Sequence, residues 1–296
     1  MTIKNFDFEQ IAPANAKMEE LGTGYRPSEG PVWIASGGYL IFSDIRGDTM
    51  YKWTAKEGVT VFRAHSGKAN GNALDRQGRL VTCEHFNRRV SRTEPDGTIV
   101  TLTSHYQGKR FNSPNDVVIK SDGSIYFTDP PYGLPMIKEK GWEELQELGY
   151  YGVFRLSPDG KTLTLLIDDF VRPNGLTFSP DESLLYINDT ERKHIRVFDV
   201  TPEGTIAHGR LFAEVPGSPE TGRPDGLKVD RAGNVYCTGG GGIWVFDPAG
   251  QQLGRISVPK IATNFNWGES DWKTLFITCF DGVYRTRVNA PGIPIP

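Results

Sequence analysis

The chain has 296 residues, 33 Lys and Arg against 36 Asp and Glu, and a formal net charge of −3. That balance offers no basic stripe for nucleic acid, and no apolar run approaches the roughly 20 residues that span a bilayer. The first residues, MTIKNFDFE, lack the apolar centre of a secretory leader, so the expectation is a cytoplasmic protein with no nucleic-acid or membrane partner. Oligomeric state is not legible.

Six short stretches share one pattern: 29–33 (EGPVW), 70–74 (NGNAL), 115–119 (NDVVI), 174–178 (NGLTF), 225–229 (DGLKV) and 264–267 (NFNW). Their first residues are spaced 41, 45, 59, 51 and 39 apart. A period of roughly 40 to 50 residues built from short strands is the signature of a β-propeller. Each opening run leads into a Gly, Asp, Ser or Pro turn, as at 75–78 (DRQG) and 230–233 (DRAG). A β-branched and aromatic run follows, as at 39–44 (YLIFSD), 124–129 (SIYFTD) and 184–189 (LLYIND), and reads as a second strand. Four of these second runs end in an acid, 14 or 15 residues after the anchor: Asp44, Glu84, Asp129 and Asp189. A third run and a second turn type complete the unit, as at 152–156 (GVFRL) and 157–160 (SPDG).

The fold class is therefore all-β: one domain over 1–296, a six-bladed propeller with four-stranded blades. The last blade runs out of chain after 283–288 (VYRTRV). An open blade edge would leave backbone groups unpaired, so a strand near 17–21 is expected to close it. Blade three carries a lid-like insertion at about 130–150. In it Trp142, Leu145 and Leu148 have the spacing of a short helix with one apolar edge, expected to pack the insertion over the axial mouth as a lid or pocket wall.

Cys83, Cys237 and Cys279 are odd in number and far apart, which reads as buried thiols rather than a disulfide framework. The five histidines, His65, His85, His105, His194 and His208, form no ligand pair and read as structural or solvated.

The innermost strands of a propeller start at its axis, so equivalent anchors converge. Glu29, Asn115, Asn174 and Asp225 would meet there with oxygen donors only. Two carboxylates and two amides carry −2, which balances a divalent cation: calcium first, with Mg, Mn, Zn or Fe as alternatives. Four protein oxygens leave positions open for water and substrate. Prolines at 27, 114, 173 and 224 stiffen the approach to each anchor. Asn70 and Asn264 read as turn residues only.

The stretches 28–33 (SEGPVW), 110–118 (RFNSPNDVV), 127–133 (FTDPPYG), 172–176 (RPNGL) and 223–227 (RPDGL) together resemble the gluconolactonase / senescence marker protein (regucalcin) family, in its bacterial gluconolactonase-like branch. The resemblance implies a six-bladed propeller with one divalent cation on its axis, hydrolysing sugar lactones to aldonic acids. Position by position it implies Glu29, Asn174 and Asp225 as metal ligands and Asn115 as a ligand or substrate contact. It also implies Asp225 as general base, and places Asp129 and Tyr132 in the motif leading into the lid. Arg110, Asn112 and Arg172 are further candidates for gripping substrate. Two alternatives remain open from the sequence: a phosphotriesterase of the diisopropyl fluorophosphatase type, and a non-enzymatic binding platform.

Overall fold

The structure is a computed structural model that describes residues 7–294. Six antiparallel four-stranded sheets follow one another along the chain. Their innermost strands are Ser28–Ile34, Ala69–Leu74, Val117–Ile119, Pro173–Phe178, Leu227–Val229 and Ala262–Gly268. Each packs against the next, and the sixth returns to the first, so the sheets close a ring. The six-bladed propeller expected from the repeat is the fold found.

The ring is sealed by the chain's two ends. Glu19–Thr23 pairs antiparallel with Gly282–Arg287 as the outer strand of the sixth blade. Thr286 Oγ1 also donates to the Lys17 carbonyl at 3.0 Å. The closing strand thus lies within two residues of its expected place. Between the first and sixth blades, Ser28 Oγ donates to the carbonyls of Cys279 and Gly282 at 2.9 and 3.0 Å.

The apolar faces of neighbouring blades pack on one another, because each twisted sheet buries both sides. Trp33 stacks on Phe276 at 5.2 Å between blades one and six, and Tyr126 meets Phe178 edge-on at 4.9 Å between blades three and four. Such aromatic pairs contribute about 0.5–1.5 kcal/mol beyond their area burial. All three cysteines are free and buried, and enclosure pushes the Cys237 thiol up to about 12. They are core residues, as their spacing indicated.

Two features aim the anchors at the axis. The first is a β-bulge at the axial end of four innermost strands: between Glu29 and Val32, Ala69 and Asn72, Pro173 and Leu176, and Ala262 and Asn264. A bulge bends the strand and re-aims its side chains. The second is the glycine after the anchor. A Cβ on Gly30 would lie 2.1 Å from the Asn70 carbonyl oxygen, and one on Gly175 would lie 2.3 Å from that of Asp225. The Gly175 N–H instead donates to the Asp225 carbonyl at 3.0 Å. The repeated anchor-Gly pair is therefore a close-approach device: adjacent blades join by backbone hydrogen bonds just where their anchors converge.

The acids that end the second strands have a different task. Asp44 Oδ1 accepts from the N–H groups of Arg26 and Gly47, both at 3.0 Å. Asp189 accepts from the N–H groups of Val171, Glu191 and Arg192 at 2.8 to 3.0 Å. Asp129 Oδ2 accepts from the Asn112 N–H at 2.7 Å. Each of these three acids ties down the loop that enters its own blade's innermost strand; the fourth, Glu84, instead accepts from the Arg89 guanidinium at 2.8 Å.

Candidate active site

A cavity of about 780 Å³ opens on the axis, and Glu29, Asn115, Asn174 and Asp225 all line it. Glu29, Asn115 and Asn174 are each 4% exposed, whereas Asp225 lies partly open to the cavity. Four different blades contribute one oxygen-bearing side chain each.

Hydrogen bonds fix their orientation. Glu29 Oε2 accepts from the Gly30 N–H at 2.8 Å and from Asn264 Nδ2 at 3.1 Å. Asn174 Nδ2 donates to Thr190 Oγ1 at 3.1 Å, and that hydroxyl donates to the Pro224 carbonyl at 2.7 Å. The amide nitrogen of Asn174 thus engages Thr190, the Asn174 side chain also acts as a donor toward the Asp225 carboxylate, and the backbone before Asp225 is held by the Thr190 hydroxyl. The Asp225 N–H donates to Thr238 Oγ1 at 3.0 Å.

The Glu29 and Asp225 carboxylates act directly on each other. Enclosure pushes the Asp225 carboxyl well above the usual range, and the charges of Glu29 and Asp116 push it further. Enclosure likewise raises Glu29, against the donors Gly30 and Asn264. Lys228 acts on Glu29 from a distance but pairs with Asp116, at 3.5 Å. Two juxtaposed acids without a basic partner of their own, completed by two amides, fit a hard divalent cation. Among the described residues no group of three or more His, Cys, Asp or Glu is placed for a metal; the axial set reaches four oxygens only by counting its amides.

Of the other sequence candidates, Tyr132 lines the cavity. Its hydroxyl has no hydrogen bond at bonding geometry among the described residues, and the Thr190 side chain lies close by. Burial raises the phenol above its ordinary value, so it stays protonated at neutral pH.

Arg110, Asn112, Asp129 and Arg172 do not line the cavity, contrary to expectation. Asn112 is fully buried and donates from Nδ2 to Asp129 Oδ2 at 3.0 Å and to the Tyr150 carbonyl at 3.0 Å. Asp129 is its acceptor, and burial pushes that carboxyl up to about 7. Arg110 donates to the Asn87 carbonyl at 3.1 Å, and its N–H donates to Glu147 Oε2 at 2.8 Å. The Arg172 guanidinium lies 5.0 Å over the Tyr151 ring. All four engage neighbouring loops, and of them the Arg172 charge reaches the cavity residue Tyr132.

The insertion contributes by a different part than expected. Its first turn, Leu134–Ile137, is helical, and Trp142–Leu145 forms a single 3₁₀ turn with no buried residue. Tyr132 and Met136 face the cavity, while Leu148 is buried in the core of blades two and three. Buried Arg88 ties the segment down, donating to the Phe111 and Leu145 carbonyls at 2.6 and 2.8 Å. Of the apolar residues at 142, 145 and 148, only Leu148 reaches the core, and none of the three lines the cavity.

Sequence reasoning missed Asn70 and His85. Both line the cavity, and Asn70 Nδ2 lies 3.0 Å from His85 Nε2. Enclosure lowers the His85 ring to about 3, so it is neutral. With its nitrogen engaged by a neutral imidazole, the Asn70 amide leaves its oxygen free. The signal was present, since Asn70 occupies the same repeat position as the four anchors. The loop carrying Ser218, Pro219, Gly222 and Arg223 forms a further wall that sequence reasoning did not single out.

The model of the SMP-30/Gluconolactonase/LRE-like region matches residues 27–281. The chain belongs to this family. A gluconolactonase of Zymomonas mobilis is 35% identical over 306 aligned residues, covering 96% of this chain and 85% of the relative. Pentonolactonase XacC of Haloferax volcanii is 26% identical, covering 88% of this chain and 84% of the relative. A solved gluconolactonase structure from Xanthomonas campestris superposes with a TM-score of 0.84 at 37% identity, covering 94% of this chain and 91% of the other. Regucalcin, a calcium-binding protein of Agrobacterium tumefaciens, shares the fold, with a TM-score of 0.78 at 17% identity, covering 95% of this chain and 97% of the other.

Proposed function

We propose that this protein hydrolyses sugar lactones to aldonic acids, and that the reaction depends on one divalent cation. The observation that carries the reading is the meeting of Glu29, Asn115, Asn174 and Asp225 in one cavity, in a chain similar along most of its length to a gluconolactonase and a pentonolactonase. A cation at these four side chains, calcium being the best match to an all-oxygen set, would polarise the lactone carbonyl and acidify a water.

The chain's own groups supply the rest. Asp225 is partly open to the cavity and acts as general base. It takes a proton from the water whose oxygen attacks the carbonyl carbon, a role worth about 10²–10⁴-fold in rate. The bond from that carbon to the ring oxygen then breaks, and Asp225 passes the proton to that oxygen, which leaves as a hydroxyl. Glu29, held by two donors, keeps its position, and a cation at the site would hold both carboxylates in their ionised form. Tyr132, protonated and with its hydroxyl buried beside Thr190, lines the cavity and shapes the wall that meets the substrate. The free oxygen of Asn70 accepts from a sugar hydroxyl.

An aldonolactone panel assayed by acid release, with and without chelator, tests this reading. Hydrolysis that is lost on metal removal and restored by calcium or another divalent cation is expected. Full activity in protein shown by elemental analysis to be metal-free contradicts it.

A further inference from the structure

We propose that Lys228 is a built-in counter-ion of the propeller axis. It neutralises a third axial acid, Asp116, and leaves Glu29 and Asp225 as the two charges that a single divalent cation balances. This rests on the cation reading above but concerns what the chain itself places beneath that site.

Three acids crowd the axis. Asp116 follows Asn115 and is 3% exposed. Its Oδ1 accepts from the Val117 N–H at 2.9 Å, while its buried Oδ2 has no hydrogen bond among the described residues. Lys228 Nζ lies 3.5 Å from that Oδ2. The same ammonium donates to the Leu227 carbonyl at 3.1 Å and to Asn264 Oδ1 at 3.4 Å. Asn264 in turn donates to Glu29 Oε2 at 3.1 Å. One amide therefore separates the lysine's charge from the first carboxylate of the candidate site. Asp116 lies close enough for its charge to act on both Glu29 and Asp225.

The lysine departs from the repeat. Three residues after each anchor the other blades carry Val32, Ala73, Val118, Thr177 and Trp267, all uncharged. Lys228 also lines a second cavity, of about 740 Å³, among residues such as Val117, Phe178 and Trp267. It does not line the cavity of the candidate site. Its stem runs along apolar wall while its head reaches the axis, as long basic side chains allow. A buried carboxylate stripped of its partner is strongly destabilising. With all three acids ionised, the axis without the ammonium would present −3 rather than −2 to a cation.

The test is a double-mutant cycle of Lys228→Met, Asp116→Asn and both together, with calcium alone as the probe. Chelator-stripped proteins are titrated by calorimetry, bound metal is counted by elemental analysis, and stripped samples are melted. Lys228→Met is expected to bind calcium at least about tenfold more tightly or to take up a second ion, and to melt lower when stripped. Asp116→Asn should bind calcium more weakly, because the lysine's charge is then unopposed. The double variant should return toward wild type on both readouts. Single variants that shift affinity in the same direction, or a double variant no closer to wild type than Lys228→Met, overturn the proposal. If Lys228→Met does not fold, Asp116→Asn and the double variant still decide the sign. A wild-type protein that binds no calcium removes the cation reading instead, and the melting temperatures of the stripped cycle then judge the ion pair alone.

Discussion

Asn264, in the last blade, donates its side-chain amide to Glu29 Oε2 in the first blade at 3.1 Å. The closure of the ring and the construction of the candidate site are therefore the same contact. Asn264→Ala removes one of the two donors that hold Glu29. It should lower stability by about 1–3 kcal/mol and weaken cation binding. Thermal melts and calorimetric titration check both; an unchanged cation affinity would place Asn264 outside the site's support.

Gly175 lets the Asp225 backbone approach to hydrogen-bond distance. Gly175→Ala sets a Cβ 2.3 Å from a backbone oxygen, which no rotamer change relieves. A loss of about 3 kcal/mol is expected, with turnover falling in the surviving folded fraction because Asp225 is displaced. Urea denaturation and kinetics on the same preparation measure the two effects. Wild-type stability would mean that the blades can separate there.

Asp129 gives a pH prediction. Burial raises its folded pKa to about 7 from an ordinary 3.8, so the native state holds this proton more tightly than the unfolded chain. Its stabilising contribution is full below pH 4 and is lost as pH rises through about 7. Asp129→Asn cannot ionise, so relative to wild type it should gain stability between about pH 4 and 7. Urea midpoints of both proteins across that window check the sign; parallel curves contradict it. Because Asp129 does not line the cavity, the Michaelis constant should stay unchanged.

Tyr132→Phe removes the buried hydroxyl beside Thr190, whose own hydroxyl holds Asn174 and the backbone before Asp225. Turnover should fall about tenfold, the equivalent of one hydrogen bond of roughly 1.4 kcal/mol, with stability preserved. Met136→Ala, at the neighbouring wall position, should alter preference across a lactone panel. Kinetics unchanged in both variants would make the insertion a bystander.

The propeller was legible because its signal is redundant: six anchors and their strand runs repeat one period, and the closing strand follows from the unpaired edge. The axial set was legible for the same reason, since equivalent repeat positions must converge. What was misread lay outside the repeat or shared its chemistry. Asp129 looked like a site acid, but Asp44 and Asp189 stand at matching positions and accept backbone N–H groups in the same way. Arg110 and Arg172 carried substrate-like chemistry, yet the Arg110 guanidinium is taken by the Asn87 carbonyl and that of Arg172 lies over the Tyr151 ring, contacts that no period encodes. Asn70 was discounted as a turn residue because a sequence does not show which side chain will face it; the ring of His85 supplies that partner.

The central claim is that Asp225 performs the proton transfer in a cation-dependent hydrolysis. Asp225→Asn keeps the side chain's size and one oxygen and removes its basicity. Measured at saturating metal on folded protein with a lactone that the wild type hydrolyses, its turnover should fall by about 10²–10⁴-fold. A metal-loaded, folded Asp225→Asn protein turning over at the wild-type rate would contradict the account.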